Sequence, residues 1–532
     1  MFFQRRPLLN CFLLLLSLWG TGCSRGDNCE PLDDTLEEWT PQVSGAGDSL
    51  HDSGVVVSQT DYTLDVPVIG RGSAWSSGVR ADFNFTVSED LGPGGSITLV
   101  AEIVSWPSAL EGRADPMLAR LISPGSGTPD WVNLSSSCAS SGFSTCSGSS
   151  CTDNTSCATT SPSAFQSRDH WEQHQVSTFD YLSVNTFPTC DFPSDTTNCA
   201  FNDQFFESTD RLPQGTYTAS YFLVSDRYAS LSGTKTATLR VRVIQKKDAS
   251  AKAASGNGAF DLNVVLVGNK NINASRSAKG GQNLNALLQH VQDQYAQSGT
   301  GLGLGAVRAI EWKCGKGGED YQDMEASALG ALFYDGSQKA VSSSTEGKAI
   351  NLFLVSSITL SSSGTLLGVS GGINGPPVNG TGGSGVAVVT FDELEEFNPD
   401  CDGEGTCNVV DQEAFFVDMG GTIAHELGHY LNLNHPSERN GIDHDFLTDT
   451  VECGVGTGSS VSHTSCRTTV AACGTGCVGY SSSGPFCPTV SECQFNHVMW
   501  WTSKNYDDDG NGDGNLFSDQ SARVLGRSPF VR

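Results

Sequence analysis

Basic residues are scarce in this chain. Of its 532 residues, 30 are Lys or Arg against 59 Asp or Glu, a formal net charge of −29. No basic patch is evident to neutralise phosphate, which argues against nucleic acid or an anionic membrane surface as the main partner. The Gly-rich stretch Gly364 to Gly385 lacks a phosphate-binding pattern and reads as a loop or the rim of a cleft. The apolar run Leu8 to Leu18 falls short of the ~20 residues of a spanning helix. Methionine numbers five, and Met499 alone lies well towards the C-terminal end.

What is present fits an exported globular protein. The hydrophobic share, 38%, is too high for a disordered chain, and the length suits two or three cores. Arg5 and Arg6, the run Leu8 to Leu18 and the small residues before Cys23 have the layout of a secretory signal over residues 1–22. Cys23 itself resembles the lipidated first residue of a bacterial lipoprotein, which would add a lipid anchor to a membrane. Cys11 leaves with the signal, and with Cys23 lipidated 16 of the 18 cysteines remain, an even set suited to disulfides in an oxidising compartment. Seven of them precede residue 250 and nine follow it, so full pairing requires a bridge between the halves.

The chain divides near residue 250. Residues 23–50 are polar and acidic and read as a tether. Over 51–245, short period-two runs such as Ser96 to Val104, Thr216 to Val224 and Ala237 to Ile244 favour an all-β, sandwich-like domain with a Cys-rich insertion from Ser135 to Thr160. His170 and His174 flank Glu172 there, but nothing completes a metal site, and they read as surface residues. Residues 246–258 (KKDASAKAASGNG) read as a linker. Beyond it, a strand at Phe260 to Val267, an amphipathic helix at Asn283 to Gln297 and strands at Ala306 to Trp312, Ile350 to Val355 and Val386 to Phe391 predict a layered α/β (α+β) domain over 259–532.

One motif carries chemistry. Residues 421–436 read GTIAHELGHYLNLNHP. On a helix His425 and His429 project from one face, a turn apart, within reach of one small ion. Glu426 follows the first His, placed to meet a metal-bound water as general base without being a ligand. His435 offers a third imidazole, but six further helical residues would carry it ~9 Å along the axis. The helix must therefore break between His429 and His435. Asn432, tolerant of the left-handed conformation, stands midway, and Pro436 prevents helix from resuming. Three ligands leave a vertex for water, the catalytic arrangement of zinc.

These residues resemble the metzincin zinc endopeptidases, whose pattern is HExxHxxGxxH followed by a Met-containing turn. His425, Glu426, His429 and His435 match it, and Asn432 stands where the family has Gly. Met499 is the candidate for the Met that lies beneath the metal as an apolar floor. The closest likeness is to the pappalysin/cytophagalysin group, through a D-x-x-D-T-like stretch at Asp445 to Thr450, Asn496 to Met499 for the turn, and Phe517 to Val524 for a partial F-T-x-x-Q-x-x-R-M ending. The turn has one residue more than the group's N-x-M. Trp501 occupies the place where some metzincins have a switch Tyr, so none is expected. The resemblance covers roughly residues 259–532 and implies a catalytic domain with a zinc helix and Met-turn that hydrolyses protein or peptide substrates by a zinc-activated water.

Other readings stand beside this one. A thermolysin-like scheme would take Glu452 as third ligand in place of His435. Asp507, Asp509, Asn511 and Asp513 stand at alternating positions, with Gly512 at the sixth, in a candidate calcium loop, with Ser518 where an EF-hand has its bidentate Glu. Cys29 could block zinc before activation, although a disulfide suits it better. A zinc-bearing surface adhesion or binding protein with little or no turnover is the competing function, and the intact Glu426 argues against it.

Overall fold

The computed structural model of the chain describes residues 35–46, 56–70, 80–107, 114–122, 124, 130–133, 181–186, 211–225, 235–249, 258–267, 278–297, 301–314, 321–360, 365–390, 409–435, 479–481, 484–486, 498–499 and 517–532. It is of mixed α/β class, with sheets and few helices. The first strand, β1 (Thr35–Trp39), belongs to a sheet completed only after residue 258. Between them lie eight strands of one sheet: β2 (Val56–Gly70), β3 (Ala81–Val87), β4 (Ser96–Ser105), β5 (Ala114–Ile122), β6 (Asp130–Asn133), β7 (Tyr181–Thr186), β8 (Gly215–Ser225) and β9 (Lys235–Lys247). Their order is β6-β5-β8-β2-β9-β4-β7, with β3 paired to β8. Alternation builds the core here. In β3, Phe83, Phe85 and Val87 are buried while Asp82, Asn84 and Thr86 are exposed, and Phe85 stacks on Tyr217 with ring centroids 5.2 Å apart.

The second sheet has the order β1-β11-β10-β13-β16-β15, from β10 (Gly258–Val267), β11 (Leu302–Cys314), β13 (Ala349–Val355), β15 (Gly368–Ser370) and β16 (Val386–Val389). The short strands β12 (Asp323–Glu325) and β14 (Ser357–Thr359) pair with each other. The four central strands are parallel, and β1 and β15 run antiparallel at the edges. A parallel sheet needs both faces covered, so its strands read as nearly continuous apolar runs. Leu262, Val264 and Leu266 of β10 pack with α1 (Ala278–Gln297) and α3 (Val409–Tyr430); Val265 and Val267 face α2 (Leu329–Lys339). The C-terminus closes the first layer: α4 (Asp519–Gly526) leads into residues that bridge back to β10, with Ala259 N–H donating to Arg532 O at 2.8 Å. No helix among the described residues is long and apolar enough to cross a membrane.

Two boundaries expected from the sequence are corrected. Residues 35–39 are not tether but the edge strand β1, in register with β11 from Leu36↔Trp312 to Trp39↔Ala309. Gln42 N–H and Ser44 N–H then donate to Asn285 and Gln289 of α1. An edge strand keeps a solvated side: Glu38 is exposed while Trp39 packs against the core, and the charge disguises the strand. The expected linker also starts too early. Lys246 and Lys247 end β9, and Gly258 already belongs to β10. Helix α2 was not foreseen, because LGALFYDGSQK holds two Gly, Asp and Ser among its helix formers.

Lys246 is wholly buried, and its Nζ donates to Gly526 O at 2.6 Å and Ser528 O at 3.1 Å, joining the first sheet to the C-terminal segment. Burial lowers its pKa to about 7, against Asp248, which raises it, while Arg527 and Arg532 lower it further. The folded state thus binds fewer protons than the unfolded chain between about 7 and the ordinary lysine value of 10.5, and stability rises with pH across that window. In Lys246→Met this rise should disappear; denaturant midpoints at pH 7 and pH 9.5, compared between parent and variant, measure it.

Candidate metal centre

The helix that carries His425 and His429 is α3, which packs against α1 and the β15–β16 edge of the second sheet. Tyr295 of α1 donates its hydroxyl to Ala424 O at 3.0 Å, one residue before the first histidine. The helix stops where the sequence expects. Asn432 adopts φ +86°, its N–H donates to His429 O at 2.9 Å, and Leu433 N–H donates to Gly428 O at 2.9 Å. This pair of bonds is a Schellman ending, with Asn432 in the left-handed place that Gly usually fills. The last carbonyls gain further donors from the Gly-rich stretch: Asn374 N–H reaches His429 O at 3.2 Å and Gly375 N–H reaches Tyr430 O at 2.9 Å.

Past the break the chain turns back, and His435 meets the helix. Its Nε2 lies 3.1 Å from Nε2 of His425 and 3.0 Å from Nε2 of His429. Among the described residues these three form the one group of His, Cys, Asp or Glu with its ligand atoms within 4.8 Å of one another. Backbone carbonyls fix two of the rings. His425 Nδ1 sits 2.8 Å from Val498 O, and His429 Nδ1 sits 2.7 Å from Leu433 O. A carbonyl only accepts, so each Nδ1 carries the proton and each Nε2 presents a lone pair. Burial, with the neighbouring His435 and His425, holds His429 well below the ordinary histidine range, so its ring is neutral at pH 7. The three Nε2 atoms thus converge, two of them about 3 Å from that of His435, and the triad could hold a metal ion.

Glu426 stands beside the triad. Burial raises its pKa to about 7, opposed by His435 and by a hydrogen bond from the Ser370 backbone N–H. Ser370 and Gly368 belong to β15, at the outer edge of the sheet. A Cβ on Gly368 would lie 2.7 Å from Glu426 Cγ, so the close approach of strand and carboxylate requires glycine. Beneath the helix, Met499 is fully buried, and a Cβ on Gly428 would lie 2.3 Å from its Sδ. Met499 thus packs under the turn carrying His429, while its neighbour Val498 orients His425.

The fold therefore brings together His425, Glu426, His429, Asn432, His435 and Met499. The sequence reading missed Ser370, Gly368 and the Val498 carbonyl. The Gly-rich run marked the neighbourhood of Gly368 and Ser370 and the stretch Asn496 to Met499 that of Val498, but a backbone donor or acceptor leaves no side-chain signature. Cys23, Glu452, the Asp445 to Thr450 stretch and the calcium candidates Asp507, Asp509, Asn511 and Asp513 lie outside the described residues. No family model matches the chain, and no curated protein matches it.

Proposed function

We propose that the chain is an exported zinc-dependent endopeptidase of metzincin type, with His425, His429 and His435 as zinc ligands and Glu426 as general base. The observation that carries this reading is the convergence of three imidazole nitrogens, two of them at 3.0 and 3.1 Å from the third, beside a carboxylate that is not one of the three. Zinc–nitrogen bonds of ~2.0–2.1 Å in a tetrahedron separate the ligand atoms by about 3.3 Å, so the triad needs to open by a few tenths of an ångström. When bound, zinc would supply a Lewis acid that lowers the pKa of a water toward ~7 and polarises a peptide carbonyl.

The chain's own residues supply the remainder. Glu426 takes the proton of the attacking water and hands it to the leaving amine. The Ser370 N–H holds that carboxylate in place, and the Val498 and Leu433 carbonyls keep both helix imidazoles in the ligating tautomer. β15 ends its sheet beside Glu426, and such an edge offers backbone groups to an extended peptide. The same reading takes residues 1–22 as the export signal and Cys23 as the lipid attachment point.

The test combines metal content with turnover. One zinc per chain and hydrolysis of casein or gelatin, abolished by a chelator and restored by zinc, are expected. One zinc per chain with no hydrolysis of either protein would favour the adhesion reading. A further result bears on β15: Gly368→Val should press on Glu426 and lower kcat by about 10²-fold, the scale of an ångström misplacement, while zinc content stays at the parent value.

A further inference from the structure

A cavity lies between the two sheets, and none of the three histidines lines it. Strand β9 alternates: Leu239, Val241 and Val243 enter the core of the first sheet, and Arg240, Arg242, Ile244 and Lys246 take the other face. That face meets the second unit, where Ile244 and Val100 pack against Val378 and Lys246 reaches the C-terminal carbonyls. At Arg240 and Arg242 the contact opens into a cavity of about 480 Å³, within the ~300–1,000 Å³ of small-molecule sites. Glu102 stands opposite Arg240 on β4 in the same wall, and Tyr334 of α2, Glu346 and Asn379 line the far wall.

The charges in the near wall are unequal. Glu102 Oε2 accepts from Arg240 Nη2 at 2.6 Å and lies 3.2 Å from Arg242 Nη1, so one carboxylate serves two guanidiniums. Arg242 is 8% exposed, yet its Nη1, though in ion-pair range of Glu102, has no hydrogen-bond acceptor, and neither has Arg240 Nε. A buried donor left in this state is costly, and guanidinium forks donate in pairs to the oxygens of a carboxylate or a phosphate. The far wall has the opposite sign. Glu346 Oε1 accepts from Asn379 N–H at 3.0 Å, and its charge faces no cation among the residues lining the cavity other than the two arginines. One net positive charge on one wall and one negative on the other match a monoanion with a donor at its far end. A dianion such as phosphate would set its second charge against Glu346.

We propose that this cavity binds a small monocarboxylate bearing a hydroxyl or ammonium group, of amino-acid, short-peptide or hydroxy-acid type. The carboxylate lies on Arg240 and Arg242, and the donor group faces Glu346. Arg240, with 38% of its side chain exposed, and Tyr334, 42% exposed, stand at the mouth, with Arg242 in the depth.

Titration calorimetry on the full-chain protein tests this with four probes: dialanine, lactate, alanine amide and inorganic phosphate. Saturable binding of dialanine or lactate is expected, with alanine amide and phosphate at least tenfold weaker; which of the two carboxylates binds tells ammonium from hydroxyl ligands. Arg240→Gln, at the exposed mouth, should weaken the bound carboxylate at least tenfold, and Glu346→Gln should weaken it too. His429→Ala, which disables the metal centre, should leave it unchanged. The proposal is overturned if neither carboxylate binds, if alanine amide or phosphate binds as well as they do, or if His429→Ala abolishes binding while Arg240→Gln does not.

Discussion

Glu426→Gln should cut proteolysis by about 10²–10⁴-fold, the range of a positioned general base, and leave the zinc content unchanged. Glutamine matches glutamate in size, and its amide oxygen can still accept the Ser370 N–H, so β15 and the helix stay in place. What is lost is the capacity to take a proton. The carboxyl of Glu426 is pushed up to about 7 chiefly by burial, and a cation in the adjacent triad would draw it down again, so that metal binding and ionisation of the base support each other. Turnover of casein, measured beside metal content on the same sample, separates the base from the ligands. A variant that loses zinc together with activity would make Glu426 a ligand, and one with undiminished turnover would remove it from the chemistry.

The histidine-bearing end of α3 was legible in the sequence because a shared metal site requires side chains at fixed spacing. His425 and His429 announce a shared helix face, and the six-residue step to His435 requires a break, which Asn432 makes at φ +86°. The strands β10, β13 and β16 were legible as well, since a sheet covered on both faces must be apolar almost throughout. What escaped has a common cause. The acidic, polar run around Glu38 hid β1 because an edge strand needs only one buried face, and Lys246 read as the start of a linker where its side-chain nitrogen lies among backbone carbonyls. The Gly-rich run read as a loop or rim, but main-chain N–H groups of Ser370, Asn374 and Gly375 bond the site from it, and Gly368 and Gly375 let the chain come that close: a Cβ on Gly375 would lie 2.0 Å from the Tyr430 ring.

His435→Ala should abolish both metal binding and hydrolysis while the fold survives. Loss of an outer partner of a metal ligand costs about 10–100-fold in affinity, and loss of a ligand itself costs more. His435 lies beyond the Schellman ending, which is closed by backbone bonds from Asn432 and Leu433, so removing its ring leaves α3 and its packing intact. The residue that delivers His435 can be tested separately. Asn432→Gly relieves a non-glycine residue at positive φ and should keep zinc and activity, with stability changed by no more than about 1 kcal/mol. Asn432→Val forces a β-branched side chain into the same conformation, at a cost of about 1–3 kcal/mol, and should weaken zinc binding because the return of the chain to His435 shifts. Zinc affinity by competition with a chromogenic chelator, together with thermal midpoints, orders the three variants. If Asn432→Val bound zinc as tightly as Asn432→Gly, the left-handed turn would not be what brings the third imidazole to the other two.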